Sequence, residues 1–232
     1  LGVMTGIDYI DAMGQTLGLG EITGIDLPGE ISGIRASRET KRLLREVEFD
    51  RIWMPADTAQ SAIGQFDNCF TILQLAQYTA AIATNNLVTP HVIREEVSED
   101  GTVLYSGNTD NVPLNLDEAN LEIVRRGMRA VSDSPRGTVY RYLNDFPIPL
   151  ASKTGTAETG FEDYRMEYSN GLFVCYAPAD DPEIAIALVV ERGEWGSSTA
   201  VIAEQILLAY FGVPDPNLPD PQISDPPIGD VQ

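Results

Sequence analysis

Four consecutive residues, Lys153-Thr154-Gly155-Thr156, bring together a cation, two hydroxyls and a glycine. The types offer charge-assisted hydrogen bonding, and at Gly155 a backbone that a ligand can approach closely. A bare Lys-Thr-Gly recurs by chance, and a solvated lysine at a strand end is its ordinary reading. The setting adds weight: the triplet enters a β-rich segment, Thr156 follows it, and two further strands and a closing helix come after. Other chemistries find less support. His91 is the sole histidine, beside Pro90, with no nucleophile elbow to build a serine-histidine-aspartate triad around it, so it reads as a surface residue. No His/Cys cluster has metal-ligand spacing and no glycine loop suits a phosphate, so neither a metal nor a cofactor is expected. Trp53 is assigned to packing, whereas Trp195, in Gly193-Glu194-Trp195-Gly196, could stand near a ligand groove.

The elements that must position the Lys153 segment are written in local patterns. Leu150 to Glu158, Leu172 to Tyr176 and Ile184 to Val190 are β-rich runs expected to pair antiparallel, with Ser198 to Phe211 as a helix packed on one face. Upstream, Ile7 to Leu17 reads as a helix ended by Gly18 and Gly20. Thr71 with Gln74 forms a capping box, and Ile72, Leu75, Ala76, Thr79, Ala80 and Ala83 continue at helical spacing to about Asn85. Asp100-Gly101 joins Val92–Val97 to Thr102–Tyr105 as a hairpin. Asn115 with Glu118 is expected to cap a further helix whose apolar face carries Leu121, Val124, Met128 and Val131.

Composition narrows the class. A chain of 232 residues that is 43% apolar suits one domain or the larger part of a bigger one. With 35 acidic against 15 basic residues, a formal charge of −20 repels a nucleic-acid backbone and an anionic lipid surface. The longest strictly apolar run, Ile184 to Val190, falls far short of the roughly 20 residues of a membrane-spanning helix. No signal peptide opens the chain, and because Leu1 is not an initiator methionine, further residues are expected before it. Cys69 and Cys175 are expected to be small buried hydrophobes rather than a disulfide. Val213 to Gln232 holds six prolines and four aspartates and is expected to be a disordered tail, leaving residues 1–212 for the folded part.

Several segments in order carry a resemblance. Thr23-Gly24-Ile25-Asp26-Leu27-Pro28-Gly29-Glu30, Ser61-Ala62-Ile63-Gly64-Gln65 with the Thr71 helix behind it, Gly137-Thr138, the Lys153 segment, and Asn170-Gly171-Leu172-Phe173-Val174 through Ala177-Pro178 resemble the transpeptidase domain of class B penicillin-binding proteins. The likeness spans roughly residues 5 to 211. It implies an α+β fold, an antiparallel sheet covered by helices, present here as the C-terminal part of that domain without its N-terminal portion. The implied activity is serine acyl transfer from D-Ala-D-Ala stem peptides during peptidoglycan cross-linking, with inactivation by β-lactam antibiotics. The implied place is outside the cytoplasmic membrane, tethered by a segment absent from this chain.

The resemblance assigns roles and exposes a gap. Lys153 would supply charge and support proton movement, Thr154 and Thr156 would hold the substrate carboxylate, Gly155 would let the ligand approach, and the Thr156 N–H would be one oxyanion donor. The family's nucleophile and base lie in Ser-x-x-Lys. The only lysines are Lys41 and Lys153, preceded at the third position by Arg38 and Leu150, so that motif does not occur. Ser106-Gly107-Asn108 matches a Ser-x-Asn motif in letters but sits too close to Lys153 and reads as a turn. Ser152 stands where many relatives have glycine. The chain alone is therefore expected to be inactive, with the missing N-terminal part of the same protein as its partner; the alternatives are a catalytically inactive module that binds penicillin or cell-wall peptide, a β-lactam sensor, or a β-lactamase relative. Without covering segments, the Ile7 and Thr71 helices are expected to expose apolar surface.

Overall fold

A computed structural model of the chain describes residues 1–108, 111–163, 166–193 and 195–214. The expected tail therefore lies almost wholly outside the described residues, as does Glu194. The first half is helical: α1 (Gly2–Thr5), α2 (Ile7–Thr16), α3 (Arg38–Leu44), α4 (Pro55–Ser61) and α5 (Ile72–Thr84). Two small antiparallel pairs follow, β1 (Asn86–Val88) with β4 (Asn111–Pro113) and β2 (Glu95–Val97) with β3 (Val103–Ser106). Then come α6 (Glu118–Asp133), α7 (Tyr140–Leu143), β5 (Ala151–Asp163), β6 (Met166–Ala177), β7 (Ile184–Val190) and α8 (Ala200–Phe211).

The three expected strands form one antiparallel sheet in the order β5-β6-β7, with Lys153 opposite Val174 and Cys175 opposite Ile186. β5 and β6 run longer than the sequence patterns foretell, because each pairs with the other well past the apolar stretch. Alternation then gives the sheet two faces. On one, Phe173, Cys175, Ala177 and Ile186 pack with Val139 and Leu143 of the α7 region and with Ala200, Ala203 and Leu207 of α8. On the other, Ala151 and Tyr176 pack with Ile82 and Ala83 of α5 and Met128 of α6. Helices thus cover both faces, as expected.

Local signals hold where backbone chemistry alone decides. The α5 capping box is closed in both directions, Gln74 N–H to Thr71 Oγ1 at 3.2 Å and Thr71 N–H to Gln74 Oε1 at 3.0 Å. The fully buried Gln74 also donates to the carbonyls of Glu21 and Ser32 at 2.5 and 2.6 Å, tying α5 to the loop between α2 and α3. At α6 the cap is Asp117, which accepts from Asn120 N–H at 2.9 Å, rather than Asn115, whose backbone is left-handed at φ 54°. The α6 face also differs: Leu121 and Met128 are buried, Val124 is exposed, and the polar Ser132 is buried in the next turn.

Exposure corrects two further expectations. Cys69 is exposed, although its backbone pairs with Ile34 in an isolated antiparallel bridge; Cys175 is buried as expected. Val3, Met4, Tyr9 and Met13 are exposed on α1 and α2, but α5 shows no large exposed apolar residue, since β1, β6, β7 and α6 pack around it.

Candidate functional site

The Lys153 segment runs along β5, an edge strand of the sheet. An edge strand turns the N–H and C=O of alternate residues outward, where an extended ligand can meet them. Thr154 and Thr156 are two residues apart and share one face, opposite Phe173 and Gly171 of β6, while Lys153 and Gly155 take the other. Lys153 is exposed and its ammonium donates to the carbonyl of Thr154, so the charge is held close along the strand. The structure thus brings all four expected site residues together. At Gly155 an added Cβ would stand 3.2 Å from the Leu172 Cβ, so the glycine also relieves crowding with the neighbouring strand.

Three hydroxyls on alternate residues of β5 each meet another element. Ser152, fully buried, shares a 2.7 Å hydrogen bond with Ser132 near the end of α6. Thr154 Oγ1 lies 3.1 Å from Thr138 Oγ1. Thr156 Oγ1 accepts from the Gly196 N–H at 3.4 Å. Gly196 lies against the β5–β6 pair so closely that a Cβ there would fall 2.0 Å from the Gly155 carbonyl oxygen, so only glycine brings this loop to Thr156. Trp195, beside it, is 66% exposed, in keeping with a place near the site.

Other resembling segments are scaffold. The Glu30 carboxylate closes its own loop, accepting from the Thr23 N–H and hydroxyl at 2.7 and 2.5 Å and from Gly24 N–H at 3.1 Å. Burial works to raise its pKa, but the bonds from Thr23 and Gly24 outweigh it and hold it below the ordinary value. Asp26 pins the same loop to the chain entering β2 by accepting from Val92 and Ile93 N–H at 2.8 and 2.9 Å; the Val92 bond leads in lowering its pKa. Asn68 holds the turn after α4, donating to the carbonyls of Ser61 and Gln65, both at 3.1 Å. His91 is exposed, and Trp53 packs edge-on against Phe66 while donating to Thr58 at 2.8 Å.

Sequence reasoning also left Lys41 without a role. It is buried, paired with Asp57 at 2.6 Å and with the Ile52 carbonyl at 2.8 Å, and near the Trp53 and Phe66 rings. With its ammonium enclosed in this way it stands outside the Lys153 strand as a structural cation. A lysine followed at i+16 by an aspartate carries no local pattern, so only folding could reveal the pair. Among the described residues no group of three or more His, Cys, Asp or Glu is placed to hold a metal ion, and no helix is long and apolar enough to cross a membrane.

The chain thus carries Lys-Thr-Gly-Thr on an edge strand of a helix-covered antiparallel sheet. The family model described as the penicillin binding protein transpeptidase domain matches residues 3–208, and the chain belongs to this family, in its class B branch. It is 32% identical over 221 residues to the peptidoglycan D,D-transpeptidase MrdA of Acinetobacter baumannii, covering 87% of this chain and 30% of the relative. It is 32% identical over 181 residues to penicillin-binding protein 2B of Streptococcus pneumoniae, covering 74% of this chain and 24% of that one. Among solved structures it resembles Pseudomonas aeruginosa PBP2 in complex with WCK 5153, at a TM-score of 0.75 and 32% identity over 90% of this chain and 45% of that chain. The complex between PBP2 and MreC from Helicobacter pylori matches at 0.76 and 30% identity over 91% of this chain and 37% of that chain. The chain therefore spans about a third or less of the curated relatives it matches.

Proposed function

We propose that this chain is the C-terminal portion of a peptidoglycan D,D-transpeptidase, with residues 1–212 belonging to the transpeptidase domain and 213–232 forming a tail. The observation that carries the reading is the placement of Thr154 and Thr156 on one face of an edge strand, with the Lys153 ammonium held on the Thr154 backbone carbonyl. The strand offers hydroxyl donors and a cation to the terminal carboxylate of a D-Ala-D-Ala stem peptide, or to that of a β-lactam. The Thr156 N–H supplies one donor to the oxyanion formed when serine attacks the carbonyl. Serine and its lysine base come from the remaining part of the protein, since neither Lys41 nor Lys153 completes Ser-x-x-Lys. The whole protein works outside the cytoplasmic membrane, anchored by a segment that this sequence does not contain.

The test compares two proteins incubated with penicillin and weighed intact. The full-length protein should gain the mass of the drug, and the 232-residue chain alone should not. A full-length protein that binds penicillin without any covalent mass would replace this reading with that of a noncovalent binding module. A covalent adduct on the isolated chain would overturn the assignment of the nucleophile to another segment. Slow turnover of the drug in place of a stable adduct would point to a β-lactamase relative.

A further inference from the structure

We infer that Thr138 is a positioning residue for carboxylate recognition, acting through Thr154; the inference rests on the transpeptidase reading above. Each threonine hydroxyl has one proton and two lone pairs. A carboxylate can only accept, so a Thr154 that binds one must give its proton away from the 3.1 Å contact with Thr138. That contact then persists only if Thr138 donates to the Thr154 oxygen. The result is a directed chain, Thr138 O–H to Thr154 O–H to carboxylate, in which each bond polarises the next. Thr156 already has this arrangement, because the Gly196 N–H can only donate to its oxygen and leaves its proton for the ligand. Thr138 does for one threonine what a backbone amide does for the other.

The fold fixes Thr138 for the task. Its neighbour Gly137 lies so close to the end of α6 that an added Cβ would stand 2.2 Å from the Val131 carbonyl oxygen. On its other side Val139 is fully buried in the core. One residue pinned by contact and one by burial hold the intervening exposed hydroxyl against β5, two positions along the strand from the Ser132–Ser152 bond.

The experiment measures the second-order acylation constant of the full-length protein with benzylpenicillin and with its methyl ester, which lacks the charged acceptor. Thr138→Val should lower the constant for the acid about five- to tenfold, the size of one lost hydrogen bond to a charged chain, and change that for the ester little. Thr138→Ser should restore the acid to within about twofold, because it keeps the hydroxyl. In a Thr154→Val background the Thr138→Val change should add no further loss, since there is no hydroxyl left to orient. The acid-to-ester ratio is internal to each variant, so a fraction of misfolded protein cancels from it. Equal losses for acid and ester, no loss at all, or additivity with Thr154→Val would each overturn the role of Thr138. Failure of the unsubstituted full-length protein to acylate would instead remove the transpeptidase reading itself.

Discussion

Ser132 and Ser152 bury their hydroxyls against each other at 2.7 Å, joining the end of α6 to the residue immediately before Lys153. Neither hydroxyl has solvent to fall back on. Ser132→Ala would strand the Ser152 hydroxyl in the core, at a cost of about 1–3 kcal/mol. The double change Ser132→Ala/Ser152→Ala should cost less than the sum of the single ones, because both polar groups leave together. Thermal unfolding checks this, with a fall of about 2–4 °C expected for each kcal/mol in a chain of this size.

The Lys41–Asp57 pair gives a larger effect. With side-chain exposures of 8% and 12%, removal of the cation by Lys41→Met leaves a buried carboxylate without its counter-charge. A loss of about 3–5 kcal/mol is expected. Urea unfolding that places the variant within about 1 kcal/mol of the parent would show that the pair is far less enclosed than its geometry indicates.

The two thiols should separate cleanly. Cys69 is exposed, while burial pushes the Cys175 thiol up to about 12 and keeps it protonated. An aromatic disulfide reagent at neutral pH should therefore titrate one thiol in the folded chain and the second only after denaturant is added. Rapid reaction of both would contradict the packing of Cys175, on β6, against α8.

Acid should loosen the Thr23–Glu30 loop. The pKa values of Asp26 and Glu30 are both lowered on folding, so their contribution is complete above the ordinary values of 3.8 and 4.5 and is lost as pH falls through the lower folded values. Protection against exchange of the Val92 and Ile93 amides, whose N–H groups Asp26 accepts, should fall in that acid window when each rate is compared with that of an unstructured amide at the same pH. Asp26→Asn should show the faster exchange already at neutral pH, since a neutral amide is a weaker acceptor for the two N–H groups. Exchange rates indifferent to the substitution would remove Asp26 as the clamp.

Lys153 can be tested without disturbing the core, because its side chain is exposed. In the full-length protein, Lys153→Ala should slow acylation by a fluorescent penicillin by about a hundredfold, the effect of losing one preorganised electrostatic group near the reacting atoms. Thr156→Val should weaken capture of the β-lactam carboxylate. Unaltered melting temperatures with unaltered acylation in both variants would detach these residues from the reaction.

What the sequence by itself determined is whatever neighbouring residues decide. The Thr71–Gln74 capping box, the Asp100-Gly101 turn, the apolar run Ile184–Val190 and the Lys153-Thr154-Gly155-Thr156 strand are each set by side chains a few positions apart, and each stands where its pattern put it. The helix cap before Glu118 slipped from Asn115 to Asp117, because several polar residues there compete locally and the left-handed backbone at Asn115 removed it from the contest. Tertiary structure alone decided the rest. Ser132 with Ser152, Thr138 with Thr154, Lys41 with Asp57 and Gly196 with Thr156 meet across 16 to 40 residues of chain, and nothing short-ranged selects one partner over another. Burial is equally non-local: Cys69 and Cys175 are the same small apolar residue to a sequence pattern, and only the strands and helices stacked over Cys175 make one inert and leave the other open.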